Sequence, residues 1–206
     1  MARQRFGFVV LIAMALLVVN AAAQKNEIAG SVGRVFISDQ GVLGTNPSNI
    51  HFGNGLTYEA NFAHRFINLG ILDVKVEVPF VFTPTVKLNF PQNVVPKSFR
   101  SYFVTPAARV SLFPTTAFTP WVSVGGGFGR FGESSELEFG GPNPGSTGTT
   151  SGVFQTGGGL DVRILSAFKL RGEVRDFYSG VPQLNANTGK SRQHNIFVGG
   201  GVVFSF

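Results

Sequence analysis

Twelve charged side chains stand at alternate positions of otherwise apolar segments, and their types and spacing could do chemistry. They are Glu59, Arg65, Asp73, Lys75, Glu77, Arg109, Asp161, Arg163, Lys169, Arg171, Glu173 and Arg175. Five are acids and seven are bases, so the set can largely neutralise itself if it is brought together. A spacing of two, as in Lys169, Arg171, Glu173 and Arg175, puts successive charges on one face of an extended strand. Facing one another across a dry interior, such acids and bases form an ion-pair network; left unpaired, each would be costly to bury. Acid–base catalysis by a pair such as Asp73 and Glu77 is the competing chemistry, but carboxylates beside bases are more often structural.

The three histidines offer less. His51 falls in a polar loop, His64 lies on an apolar phase near a turn, and His194 starts the last periodic segment. No His-x-Ser arrangement accompanies any of them, so nucleophilic catalysis has no local signature. The chain has no Cys, and nothing in the spacing of His and acids converges as metal ligands do. A non-enzymatic protein without cofactor or metal is expected.

The segments that carry these charges have a period of two. In 72–82, Leu72, Val74, Val76, Val78, Phe80 and Phe82 alternate with Asp73, Lys75, Glu77, Pro79 and Val81. A helix would scatter the six apolar residues around its axis, whereas a strand gathers them on one face. The same pattern marks 56–67, 99–113, 118–131, 151–165, 168–178 and 194–206. It is weakest in 27–37, where Gly30 and Arg34 share the phase of Ile28, Val32 and Phe36. Connections alternate between short turns (68–71, 114–117, 166–167) and long Gly-, Pro-, Asn- and Ser-rich loops (38–55, 84–97, 132–150, 181–193). The expected fold is all-β, an eight-stranded antiparallel barrel with turns at one end and loops at the other.

A soluble barrel would turn its apolar face inward, and periodicity alone does not choose between the two. Aromatic placement does. Phe36, Tyr58, Phe82, Tyr102, Phe128, Phe154 and Tyr178 cluster at the loop ends of the apolar phase; Phe66, Phe118, Phe168, Phe204 and Phe206 lie at the turn ends. Two aromatic girdles around an aliphatic band suit a membrane-spanning barrel, with the apolar phase on lipid and the mixed charges in the lumen. An eight-stranded lumen is just wide enough to be filled by side chains, so the charges are expected to plug it; a conductive pore is the alternative. On the outward phase at the loop ends lie Arg34, Arg100 and Arg130, with Lys87, Lys97, Lys190 and Arg192 in adjoining loops. There Arg can pair with lipopolysaccharide phosphates, or simply snorkel into headgroup water.

The first residues fit a cleavable signal peptide: Arg3 and Arg5, an apolar stretch from Phe6 to Val19, and Ala21-Ala22-Ala23 before Gln24. The apolar stretch is short of the roughly 20 residues of a spanning helix. The expected organisation is therefore signal peptide 1–23 and barrel domain 24–206. Only 14% of the chain is charged, and no basic run of the kind that tracks a phosphate backbone occurs, so nucleic-acid binding is not expected.

The C-terminal run Gly201-Val202-Val203-Phe204-Ser205-Phe206 resembles the terminal signature of bacterial outer-membrane barrels. Pro120 to Gly129, Gly157 to Arg163 and Leu170 to Tyr178 resemble strands of the small OmpA/OmpX-like barrels. The resemblance covers the whole of 24–206 as pattern and is specific for the barrel class rather than for one member. It implies an outer-membrane location, a periplasmic N-terminus, extracellular long loops, and reading of Gly201, Phe204 and Phe206 by the barrel-assembly machinery. With no residues after the last strand, no peptidoglycan-binding domain of the OmpA kind is expected. The implied partners are outer-membrane lipid and lipopolysaccharide, and closure of the sheet makes a monomer the expectation. The expected function is non-enzymatic: a plugged barrel whose loops serve envelope structure or surface interaction. A narrow OmpW-like channel for small or hydrophobic solutes and a lipid A-modifying barrel enzyme are the alternatives.

Overall fold

The structure, a computed structural model, describes residues 25–44 and 49–206. The expected signal peptide, 1–23, lies outside the described residues. Among the described residues, eleven strands form: β1 (Asn26–Phe36), β2 (Gln40–Gly41), β3 (Asn49–Phe52), β4 (Gly55–Asn68), β5 (Leu72–Asn89), β6 (Ser98–Val104), β7 (Ala107–Leu112), β8 (Phe118–Glu133), β9 (Thr149–Arg163), β10 (Phe168–Gly180) and β11 (Arg192–Ser205).

Strands β6 and β7 are two halves of one stave, so β1, β4, β5, β6/β7, β8, β9, β10 and β11 make an eight-stave antiparallel meander. It closes because β1 pairs with both β4 and β11. The closing register runs without a break from Glu27 opposite Ser205 to Phe36 opposite Ile196. Asn26 and Phe206 then exchange both backbone hydrogen bonds at 2.9 Å. Closure leaves no unpaired sheet edge in the wall.

Burial alternates residue by residue along the staves, with the apolar phase outward. Ile28 is 51% exposed, Val122 63% and Val202 56%, alongside some thirty other exposed large apolar side chains. A wall of that composition is stable against hydrocarbon and not against water, and the protein is a transmembrane β-barrel. Across the loop-side girdle Tyr58 pairs with Phe82, Phe82 with Tyr102, and Phe154 with Tyr178. At the turn side the rings of Phe168 and Phe204 lie 5.1 Å apart, and those of Phe204 and Phe206 5.7 Å.

Two of the expected staves depart from the sequence expectation, and proline explains both. The single strand expected over 99–113 is interrupted at Thr105 and Pro106, because Pro106 has no N–H to give to the ladder. Its carbonyl still accepts from Gly126 N–H at 3.1 Å, which keeps the stave in line. The stave expected to end at Phe82 continues to Asn89 instead of giving way to a loop at Pro84. A register shift between Thr83 and Val86 absorbs the proline. The extension pairs with β3, His51 opposite Asn89 and Phe52 opposite Leu88, so part of the expected loop 38–55 is sheet as well. The barrel wall therefore projects beyond its loop-side aromatic girdle.

Candidate functional site

The lumen is filled in two tiers. The turn-side tier is ionic and begins at Glu27, which is 5% exposed. Its Oε1 accepts from Lys75 Nζ at 2.8 Å and Lys169 Nζ at 2.7 Å, and its Oε2 from Arg109 Nη2. Lys75 also lies 3.3 Å from Asp73. Arg109 reaches on to Glu77 Oε2 at 3.3 Å, and Glu77 Oε1 accepts from Arg175 Nη1 at 2.6 Å. Arg175 Nε donates to Glu173 Oε2 at 2.9 Å and stands 3.2 Å from Glu59, an ion pair without hydrogen-bond geometry. Arg171 grips Asp161 through both oxygens, at 2.7 and 2.9 Å. Neutral side chains use further lone pairs: Asn61 donates to Glu77 at 2.9 Å and Ser31 to Glu173 at 2.5 Å. Staves on opposite sides of the lumen, β1, β5, β7 and β10, are thereby bridged through its axis.

Trp121 stands among these charges. Arg175, Arg171 and Arg109 lie 4.9, 5.0 and 5.5 Å from its ring, and its indole N–H donates to Asp161 at 3.2 Å. A ring of this size fits against the wall because the facing residue is Gly159, where a Cβ would come within 2.6 Å of the indole. Neither Glu27 nor Trp121 was among the candidates read from the sequence. Both lie on the inward phase of their strands, which is the signal that could have found them.

Ten of the twelve sequence candidates pair in this tier, eight in one connected set and Asp161 with Arg171 as a separate pair against Trp121. Arg65 and Arg163 do not. They sit half-buried at the turn-end mouth, and no carboxylate pairs with either among the described residues. Arg163 instead donates to the carbonyls of Pro114 (2.5 Å) and Thr115 (3.3 Å), because the 114–117 turn curls over its guanidinium. For Arg65, a register irregularity between Arg65 and Ile67 takes the end of β4 out of step.

The loop-side tier differs from the expectation of a lumen plugged by charge throughout. Its inward residues include Val35, Val81, Phe103, Phe131, Val153, Phe177 and Phe197, all buried and in one cluster. The rings of Phe103 and Phe177 stack 5.1 Å apart at 5°, and Phe131 meets Phe103 edge-on at 5.8 Å. Above them Ile50, Phe52, Leu88, Phe90, Val95, Phe99 and Leu184 extend the same core into the folded loops. Glu133 pins two of those loops, accepting from Thr149 at 2.8 Å and from Gln183 N–H at 2.9 Å.

On the outer wall Arg34, Arg100 and Arg130 all point outward and are exposed. Arg34 donates to Asn54 O at 3.2 Å. Arg100 and Arg130 stand on paired strands, β6 and β8, two positions apart along the ladder, while Arg34 lies on β1. Arg192 lies 6.0 Å over the Tyr178 ring and reaches Gly152 O at 3.1 Å. Beside it His194 Nδ1 contacts Asp176 Oδ2 at 2.6 Å, both on the outward phase, and the imidazole packs 4.8 Å from Tyr178. Ser38 lines the same small crevice as His194, without a hydrogen bond between them among the described residues. His51 pairs with Asp39 at 2.6 Å in the loops, and His64 contacts Asn26 at 2.7 Å near the turns. Gly201 lies at the seam, where a Cβ would collide with the carbonyl of Gly30, and Phe204 and Phe206 belong to the turn-side girdle.

Comparison with solved structures places the fold among small outer-membrane β-barrels. Neisserial surface protein A superposes with a TM-score of 0.54 at 13% identity, over 88% of this chain and 97% of that one. OprG from Pseudomonas aeruginosa gives 0.57 at 12% identity, over 89% and 96%. The N-terminal β-barrel domain of Pseudomonas aeruginosa OprF gives 0.50 at 13% identity, over 89% and 100%. No family model and no curated protein sequence matches the chain.

Proposed function

We propose that this transmembrane barrel is a non-conducting, non-enzymatic protein of a bacterial outer membrane, with its function in the four long loops. In this reading the turns and N-terminus face the periplasm, the loops face outward, and the barrel acts as a monomer in envelope structure or surface contact. The observation that carries it is the double filling of the lumen. An ionic tier spans the axis between β1, β5, β7 and β10, and a packed aromatic tier lies above it. An eight-stranded lumen is just wide enough for side chains to fill. At the loop side the apolar core stands beside a buried chain of hydrogen bonds, Gln40 to Gln193 to Asn195 to Ser179, whose polar groups are spent on one another. Glu133 and the apolar cap tie the loops to the barrel, which suits a presented surface of fixed shape.

Planar-bilayer recording of the refolded protein tests the reading. Silence is expected; steady openings would overturn it in favour of the narrow channel. The outward Arg34, Arg100 and Arg130 belong to the same proposal as contacts for lipopolysaccharide phosphates. Joint replacement by Gln is expected to lower lipopolysaccharide co-purification, and an unchanged yield removes that part. Gly201, Phe204 and Phe206 complete it as the segment read by the assembly machinery.

One observation favours a second reading, lipid modification. Asp176 and His194 form a hydrogen-bonded acid–imidazole pair on the outer wall, with Ser38 in the same crevice. Those are the groups of a hydrolytic triad. Mass spectrometry of lipid A from cells with the wild type and with His194→Ala separates the two. Identical acyl patterns support the non-enzymatic reading, and a His194-dependent loss of an acyl chain replaces it.

A further inference from the structure

The turn end of the lumen opens into a vestibule of about 280 Å³ below the ionic tier. Five bases line it, Lys25, Arg65, Lys75, Arg163 and Lys169, against two acids, Glu27 and Asp73. Lys75 and Lys169 share the single oxygen Glu27 Oε1. Lys25, Arg65 and Arg163 have no carboxylate partner among the described residues, so the cavity carries an excess of positive charge. The walls also hold unspent hydrogen-bonding groups. Arg163 Nε and the Ser205 hydroxyl are buried without a partner among the described residues, and Ser205 is 3% exposed. One buried acceptor is equally unspent: Asp73 Oδ1, on a side chain 1% exposed whose other oxygen faces Lys75 at 3.3 Å. Buried polar groups left unpaired are costly, and several around one cavity point to an occupant that satisfies them.

We infer that this vestibule is a binding site for inorganic phosphate reached from the turn side. The excess cations supply charge-assisted donors, and Ser205 adds a neutral one. Asp73 gives the site its selectivity. An ionised carboxylate can only accept, and near neutral pH every inorganic phosphate ion carries a proton to donate. Sulfate carries none, and neither does the phosphodiester of a lipid headgroup, so both leave Asp73 Oδ1 facing like charge. The ionic tier above makes the site a blind cup. The inference rests on the turn-end geometry alone and does not depend on the loop-based function.

Isothermal titration of the full barrel in neutral detergent at low ionic strength, with inorganic phosphate and then with sulfate, tests it. Binding of phosphate is expected, with sulfate weaker by about tenfold or more, the scale of one charged hydrogen bond. Arg65→Gln combined with Arg163→Gln is expected to weaken phosphate about tenfold or more, in protein whose heat-modifiable gel mobility shows it folded. Asp73→Asn gives a second readout that does not depend on that variant folding: the ratio of phosphate to sulfate affinity is expected to fall towards one. A third titration uses dimethyl phosphate, a phosphodiester with no hydrogen to donate. Absence of phosphate binding, equal affinity for sulfate or the diester in the wild type, or a ratio unmoved by Asp73→Asn would each overturn the assignment.

Discussion

At the scale of single residues, Arg175 is the side chain on which most of the ionic tier converges. It is fully buried and lies against Glu59, Glu77 and Glu173 at once. Replacing it with Met keeps the volume but leaves three buried carboxylates without their common partner. Loss of one member of a buried pair costs about 3–5 kcal/mol, so Arg175→Met is expected to lower the unfolding free energy, measured by urea titration in lipid vesicles, by that amount. Arg65→Met is the contrast: half-buried and without a carboxylate partner among the described residues, it is expected to stay within about 0.5 kcal/mol of the wild type in the same assay. Alternation in the sequence was enough to put both residues on the inward phase. It was not enough to separate them, because which base meets which acid depends on distances across the lumen between staves far apart in the chain. Lys169 and Glu27, for example, are 142 positions apart and bonded at 2.7 Å.

At the scale of elements, the staves depend on where side chains are missing as well as on where they are present. Trp121 occupies the wall space that Gly159 leaves, so Gly159→Leu is expected to displace the indole and destabilise the barrel by about 1–3 kcal/mol through overpacking. Gly172, also on a stave but with open space outside it, should accept Ala with little change. Folding yield into vesicles and thermal gel shift distinguish the two variants. Strand positions were legible because a two-residue period over ten or more residues admits one reading. The ends of β5 were not: Pro84 reads locally as a break, and only pairing with β3 and β6 shows that a bulge carries the strand past it. The same holds in reverse for Pro106, which interrupts a stave that the pattern alone draws as continuous.

At the scale of the whole molecule, two fillings of different chemistry lie in series along one axis. Removing the stacked rings by Phe103→Ala with Phe177→Ala opens space in the loop-side tier and leaves the ionic tier across the path. Bilayer recordings of that double variant are expected to stay silent, and steady openings would locate the barrier in the aromatic tier instead. The variant should also loosen the loops, because Phe99, Phe52 and Leu184 rest on the same core. Faster proteolysis within 84–97 and 181–191 would report it. The exterior has a simpler consequence: with this much apolar surface exposed, the folded protein should require detergent or lipid and migrate heat-modifiably.

What the sequence determined by itself is the wall: eight staves, their two faces, their girdles, and the end at which the loops lie. Side-chain alternation is a local property of extended backbone, and lipid outside demands apolar residues on one phase, so both facts are written along each strand. What only the tertiary structure decided is the content of the lumen. The inward phase shows that Asp73, Arg109 and Phe103 point the same way, but not that the first two join an ionic tier at the turn side while the third packs into an apolar core above it. That division depends on the height at which each stave crosses the axis, which the closing register between β1 and β11 sets, and a register is a relation between distant segments.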